Sequence, residues 1–286
     1  MKALVCIERT KKMKRIQPDH KIFCSEDFLK DQYKFHILFI NFSYETVELY
    51  SDEENYVVCR GAAGLPVWIW TKEHFDESRL HLLEETMDLY LTGAERDPFT
   101  CKKEIYDLLL KDGYPHLNRD DYFEMGFLFC RKTKMPRHCE GKMEVPAEAD
   151  LEVLAQYWFD DSREMRASKP VSMEQARKDV QSMMAGKRFY IWRDDSGKIV
   201  SMVNYTQVGS QARLNHVYTP ESERAKGYAA NLICCLTGSL LQKGLVPLLY
   251  TDYHYPPSNR AYMNAGYEDG GVLINFSCSR KSKTTE

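Results

Sequence analysis

The sequence contains no stretch of about 18 consecutive apolar residues, so nothing in it reads as a membrane-spanning helix or predicts a membrane partner. Its first residues lose apolar character too early for a signal peptide. No two cysteines stand in a CxxC pair, and the adjacent Cys234 and Cys235 cannot easily bridge each other. Cysteine 9 is an odd count, and several of these residues fall inside apolar runs, where a thiol behaves as a small hydrophobe. That usage predicts a reducing compartment and a cytoplasmic location. There is no excess of basic charge. Lys+Arg 39 against Asp+Glu 42 gives a net charge of -3, without the electrostatic footprint of a nucleic-acid binder. Short basic runs at 11–15 and 280–283 read as a solvated edge and a loose tail. Cys130, His138 and Cys139 lie close in sequence, but no second pair has ligand spacing, so no metal is expected. No repeat of fixed period is visible.

What is present is an ordinary globular composition, 43% apolar and 28% charged, on a chain of 286 residues, which suits two modest domains. In the first half, residues 35–41, 55–60, 65–70 and 122–130 have strand character, with Pro66 suited to the start of its strand. Trp68 and Trp70 read most simply as core aromatics, with a substrate wall as the other reading. Residues 76–91 carry Leu80, Leu83, Met87 and Leu91 at helical spacing behind a cap at Asp76, and 101–111 predict a second helix ending near Gly113. The polar stretch 131–146, with Pro136, Gly141 and Pro146, is expected to link the domains. Beyond it come helices over 149–166 and 172–186, the latter with Ser172 as N-cap. A hairpin over 189–205 and a strand over 212–218 follow. Next are a helix over 226–243, a strand over 245–251, a helix over 258–265 and a strand over 272–278. This order predicts a sheet with crossover helices.

The segment 214–230 is the informative one. A strand ends near Tyr218, a polar turn follows, and a helix opens near Lys226. The first N–H groups of a helix have no intrahelical partner and carry partial positive charge, so a turn that bends there on a glycine can wrap donors around a phosphate. Gly227 and Ala229 are small enough for close approach, and Arg224 and Lys226 add charge nearby. By itself this pattern occurs in many unrelated proteins. However, Arg224-x-x-Gly227-x-Ala229 resembles the pyrophosphate motif of the GNAT superfamily of N-acyltransferases. A second run, with Ser258, Tyr262, Gly266 and Tyr267, is similar to that family's serine or alanine, tyrosine and glycine-aromatic series. The resemblance covers residues 144–278, about half of the chain.

The resemblance implies an α/β (α+β) fold, with a mixed, mostly antiparallel central sheet flanked by helices. It implies a GNAT N-acetyltransferase domain at 142–280 and a degenerate, motif-free companion at 1–135. It also implies acetyl-CoA as co-substrate, with the chain binding it through Val217, Tyr218, Thr219, Arg224, Ala225, Lys226, Gly227, Tyr228 and Ala229, helped by Ser258 and Asn259. A neutral amine would attack the thioester directly, a strand N–H near Val217 would stabilise the oxyanion, and Tyr262 would donate to the departing thiolate. The other reading of Tyr262 is a helix residue packed on the sheet.

Two features depart from the family pattern. Tyr255 stands where an asparagine often touches the coenzyme, and the motif strand carries no carboxylate base. His216 is the candidate base, although strand alternation puts it on the opposite face from Val217, and a water chain is the alternative. Asp160 and Asp161 read as a solvated pair, with a role in binding a cationic amine as the other reading. A small-molecule or peptide amine is the expected acceptor, a homodimer stays open, and a coenzyme A-binding or interaction module without turnover is the alternative function.

Overall fold

The computed structural model describes residues 12–134, 139–165 and 170–280. Cys6, the chain start, His138 and most of the basic tail lie outside them. The described chain runs through β1 (Lys14–Arg15), α1 (Glu26–Asp31), α2 (His36–Asn41), β2 (Glu48–Ser51), β3 (Tyr56–Arg60), β4 (Val67–Thr71), α3 (Leu80–Asp88), β5 (Asp97–Lys102), α4 (Lys103–Asp112) and β6 (Leu117–Phe129). It continues through β7 (Lys142–Glu144), α5 (Leu151–Glu164), α6 (Met173–Ala185), β8 (Phe189–Arg193), β9 (Ile199–Val208), β10 (Gln211–Tyr218), α7 (Tyr228–Gln242), β11 (Val246–Asp252), α8 (Pro256–Ala265) and β12 (Glu268–Cys278).

These elements form two compact units, residues 1–125 with 272–286, and residues 126–271. The sequence expectation drew the boundary in 131–146 and kept 272–278 with the second half. Instead, β12 from residue 272 belongs to the first unit, where it pairs antiparallel with β5 from Leu273↔Lys102 to Cys278↔Asp97. Part of the expected linker is itself strand: β7 pairs with β8, Met143 opposite Trp192.

The first unit orders its strands β1-β2-β3-β4-β5-β12-β6. Its core gathers Val58, Val67, Ile69, Leu83, Met87, Phe99, Ile105, Leu109, Ile274 and Phe276. Trp68 and Trp70 are buried, as core aromatics should be, and the Trp70 indole donates to Asp31 at 3.1 Å. The expected strand at 35–41 is a helix. An unbroken apolar run does not reveal its period, and here Phe35, Leu38 and Asn41 are buried at three-residue spacing.

The second unit orders its strands β6-β11-β10-β9-β8-β7 and carries helices on both faces. On one face Leu232, Leu236 and Leu240 of α7, four residues apart, pack on Val200, Val203, Ala212, Leu214 and Leu249. Each such leucine, fully removed from water, contributes on the order of 1.5–3 kcal/mol. On the other face Leu154 and Trp158 of α5, with Ala176 and Val180 of α6, cover Phe189, Ile191, Ile199, Met202 and Tyr218. Ser172 caps α6 as expected, its hydroxyl accepting from the Gln175 N–H at 3.2 Å. No helix among the described residues is long and apolar enough to cross a membrane.

α8 opens on a proline and closes on Gly266, whose φ of +99° is left-handed. A β-carbon there would meet the Lys132 carbonyl oxygen at 2.5 Å and the Lys134 nitrogen at 2.8 Å. Gly266→Ala should therefore lose about 2–4 kcal/mol of stability through strain and overpacking, visible as a lower urea midpoint. An unchanged midpoint would show that this close approach is not maintained in solution.

Candidate functional site

β10 pairs in parallel with β11 at only three positions, ending with Arg213↔Leu248. Its antiparallel pairing with β9 runs further, through Asn215↔Asn204 and then Tyr218↔Met202. Between those last two positions lie two residues of β10, His216 and Val217, against one of β9, Val203, which is a bulge. His216 takes φ +52° in the bulge. His216 and Val217 thus have no partner in either register, and the two strands part where the motif begins.

The bulge re-aims the side chains. Ala212, Leu214 and Val217 pack with the α7 core, whereas Tyr218 joins the α5 core. His216 also faces α5, opposite to Val217 as alternation suggested. Its ring lies 3.9 Å from the Trp158 ring, centroid to centroid, and its Nδ1 is 2.7 Å from Asp161 Oδ2. Asp161 is buried, only 7% exposed, which corrects the expectation of a solvated pair; Asp160 accepts from Gln156 at the helix surface. Trp158 is anchored in turn by its indole N–H donating to Asp179 of α6 at 3.2 Å. An ionised carboxylate can only accept, so Asp161 fixes the proton on Nδ1 and leaves the Nε2 lone pair free to take a proton.

After Tyr218 the chain makes a short turn and enters α7. Gly227 is the N-cap at φ +91° with no side chain to cap, and the first bond into the helix is Asn231 N–H to the Gly227 carbonyl at 3.0 Å. The N–H groups of Tyr228, Ala229 and Ala230 precede that bond and have no intrahelical acceptor. A β-carbon on Gly227 would lie in ordinary contact, 3.6 Å from the Asn231 amide and 3.8 Å from Cys139. The glycine is thus required by its backbone conformation and not by crowding. Ala225, at φ +63°, is held in the same left-handed region despite its methyl group.

The expected mobile charges are tied down. Arg224 donates to the Thr219 carbonyl at 2.9 Å and to both Glu164 oxygens at 2.8 and 2.7 Å. Lys226 donates to Glu223 at 2.8 Å, and Lys198 reaches the same carboxylate at 2.5 Å. These two lysines hold the Glu223 pKa down to about 2. The turn that strains Ala225 is therefore clamped on both sides. Among the main-chain groups expected to meet the coenzyme, the Tyr218 carbonyl accepts from Ser201 and the Thr219 carbonyl from Arg224.

Tyr262 of α8 is buried in the α7 core, 8% exposed. Burial raises its pKa far above the usual phenol value, and the Asp161 charge raises it further. The phenol thus lies within the field of the carboxylate that holds His216. Ser258 and Asn259 are occupied locally. The Ser258 hydroxyl is 3.1 Å from that of Thr251, and the Asn259 amide donates to the Asp252 and Tyr253 carbonyls at 3.0 and 2.9 Å. Tyr255 is exposed at the start of α8. Cys130 is buried and directed at the Gly266 carbonyl, and no group of three His, Cys, Asp or Glu among the described residues could hold a metal ion.

Sequence reasoning named Tyr262, His216 and the turn as candidates. It missed the partners of each, namely Asp161, Trp158, Glu164 and Glu223, because the only signal they give is their position on neighbouring elements. With Glu223 depressed, its stabilisation is complete above about pH 4.5 and is lost as pH falls toward about 2. The difference in melting temperature between wild type and Glu223→Gln should accordingly shrink between pH 6 and pH 3. A difference constant over that range would mean that the lysine clamp is not formed.

No family model matches the chain, and no curated protein does. Solved structures do. An acetyltransferase of the GNAT family from Colwellia psychrerythraea matches at 12% identity, covering 94% of this chain and 100% of that one, with a TM-score of 0.59. A tandem GNAT protein from the clavulanic acid biosynthesis pathway matches at 8% identity over 95% of this chain and 99% of its own, with a TM-score of 0.56. A GCN5-related N-acetyltransferase from Kribbella flavida matches at 16% identity over 81% and 89%, with a TM-score of 0.54. At such identities the likeness speaks for architecture alone, and with the parted β10 and β11 it gives this chain the two-domain fold of the GNAT acetyltransferases.

Proposed function

We propose that the chain is an acyl-CoA-dependent N-acyltransferase that moves an acyl group, acetyl in the simplest case, from coenzyme A to a primary amine. One observation carries this reading: the strands part at Arg213, and His216 of β10, bonded to Asp161 of α5, stands just before a turn that leads into an uncapped helix start. The coenzyme fits that arrangement. Among the described residues the N–H groups of Tyr228 and Ala229 have no acceptor, Gly227 puts no side chain beside them, and Lys226 stands near to hold a pyrophosphate. When bound, the coenzyme supplies an activated thioester.

The remaining chemistry belongs to the chain. His216 Nε2 takes the proton that the amine loses as it attacks the carbonyl carbon, and Asp161 opposes the positive charge the ring acquires. The Val217 N–H, without a ladder partner, is available to the developing oxyanion. Tyr262 stays protonated because burial opposes its ionisation, and it donates its hydrogen to the sulfur as the carbon–sulfur bond breaks. Full proton transfer from so weak an acid is uphill, so its contribution is that of a strong hydrogen bond. A reducing cytoplasm, a small-molecule or peptide amine as acceptor and a homodimeric assembly remain parts of this reading that solution work has to decide.

A second reading keeps coenzyme binding and drops turnover. It is favoured by Tyr255 at a position where the family often has asparagine, and by the Asn259 amide being bonded to backbone carbonyls. Steady-state thiol release with acetyl-CoA and a panel of primary amines separates the two. Tyr262→Phe and His216→Gln should each lower kcat by about 10²-fold or more while acetyl-CoA affinity changes by less than about threefold. Turnover unaffected by both substitutions would remove these residues from the mechanism. Acetyl-CoA binding with no turnover of any amine would leave the binding module.

A further inference from the structure

Arg213 occupies the last rung at which β10 touches both neighbours, opposite Thr206 of β9 and Leu248 of β11. Its neighbours Ala212 and Leu214 enter the α7 core, so its side chain leaves the sheet on the other face, the face that His216 and Asp161 share. The guanidinium carbon lies 6.0 Å from the centroid of the Tyr250 ring. No carboxylate among the described residues pairs with it, and its Nε is shut off from solvent without an acceptor. By contrast, Arg193 is bonded to Glu144 and Asp150, and Arg224 to Glu164. Burial lowers the Arg213 pKa, yet a guanidinium starts so high that it keeps its charge. Arg213 is half-buried, and a charge with one N–H shut off from water and no partner is a costly arrangement unless something else supplies the counter-charge.

Resting on the acyltransfer reading, we propose that Arg213 binds a carboxylate carried by the acceptor amine, so that the substrate class is small amines that also bear a carboxylate. One planar, singly charged fork matches one carboxylate in charge and in geometry, whereas a phosphate dianion would bring an uncompensated negative charge toward buried Asp161. The coenzyme phosphates do not need this arginine, because the turn that suits them lies beyond the other end of β10. Arg213 and His216 are three residues apart, roughly 10 Å along a strand before the bulge shortens it, so the carboxylate and the reacting amine are separated by several bonds. Amino acids with a distal amine, or short peptides, have that spacing.

The test uses the full chain and begins with calorimetry of acetyl-CoA, which should bind wild type and Arg213→Met alike. Failure of wild type to bind it would remove the acyltransfer reading, and the acceptor assignment with it. Glycine, 4-aminobutyrate and 6-aminohexanoate, each with its amide, and O-phosphoethanolamine are then titrated with coenzyme A present. At least one of the longer acids should bind about tenfold or more tightly than its amide. That preference should vanish in Arg213→Met and survive in part in Arg213→Lys. Arg213→Met should fold, with a melting temperature no lower than wild type, since it removes a half-buried charge that has no partner among the described residues. If it does not fold, the acid-to-amide ratio in wild type and its change in Arg213→Lys decide alone. No acid binding below about 10 mM, equal binding of acids and amides, or a preference that persists in Arg213→Met would each overturn the proposal. Tighter binding of the phosphate than of every acid would overturn it in favour of a phosphate site.

Discussion

Everything at the candidate site depends on β10 leaving β11 after Arg213 while staying beside β9. A strand held on both edges presents its side chains in strict alternation and has no free backbone groups. Releasing one edge changes both conditions at once. The two-against-one bulge takes up the difference in path, sets His216 at φ +52° and takes Val217 out of register with both neighbouring strands. From there the chain bends through the turn and delivers the unbonded N–H groups of α7 beside the parted strands. A histidine held by a carboxylate and an uncapped helix start thus both follow from one interruption of one ladder.

The charges around that interruption are arranged to hold a strained turn. Ala225 pays a left-handed conformation that costs about 1–2 kcal/mol, and the ion pairs Arg224–Glu164 and Lys226–Glu223–Lys198 bracket it. The same arginine and lysine flank the helix start, so on the acyltransfer reading an incoming diphosphate would meet cations that are already placed but shared with carboxylates. This makes the backbone N–H groups the principal donors and the side chains secondary ones. On the opposite face α5 supplies Trp158, Asp161 and Glu164 from successive turns, so one helix orients the histidine ring, fixes its proton and anchors the turn.

Much of this fold was legible because the second unit obeys simple periods. The leucines of α7, the hairpin of β8 and β9, the cap at Ser172 and the glycine stops at Gly244 and Gly266 are all local signals, and the elements lie where those signals put them. The first unit was less legible. Residues 37–40 are apolar without a break and lie in α2, and β5 went unread except for its last two residues, which the expected helix at 101–111 took in. The exchange of residues 272–278 into the first unit could not be read at all, since strand pairing between segments 170 residues apart leaves no local mark. At the site, the motif residues could be named from spacing. Asp161 looked like any surface acid, and neither the bulge nor the unpaired Arg213 has a signature in sequence. Both arise from where β11 stops.

The most direct measurement is calorimetric titration of acetyl-CoA into the wild-type chain and into Gly227→Glu. A glutamate at this N-cap must adopt the left-handed φ of +91°, a strain of about 1–2 kcal/mol that its favourable charge at the helix start partly offsets, and its carboxylate stands beside the N–H groups. Saturable binding to wild type, weakened about 30-fold or more in a folded Gly227→Glu, is the expected result, a difference of about 2 kcal/mol. No binding to wild type, or equal binding to both, would contradict a coenzyme site at the start of α7.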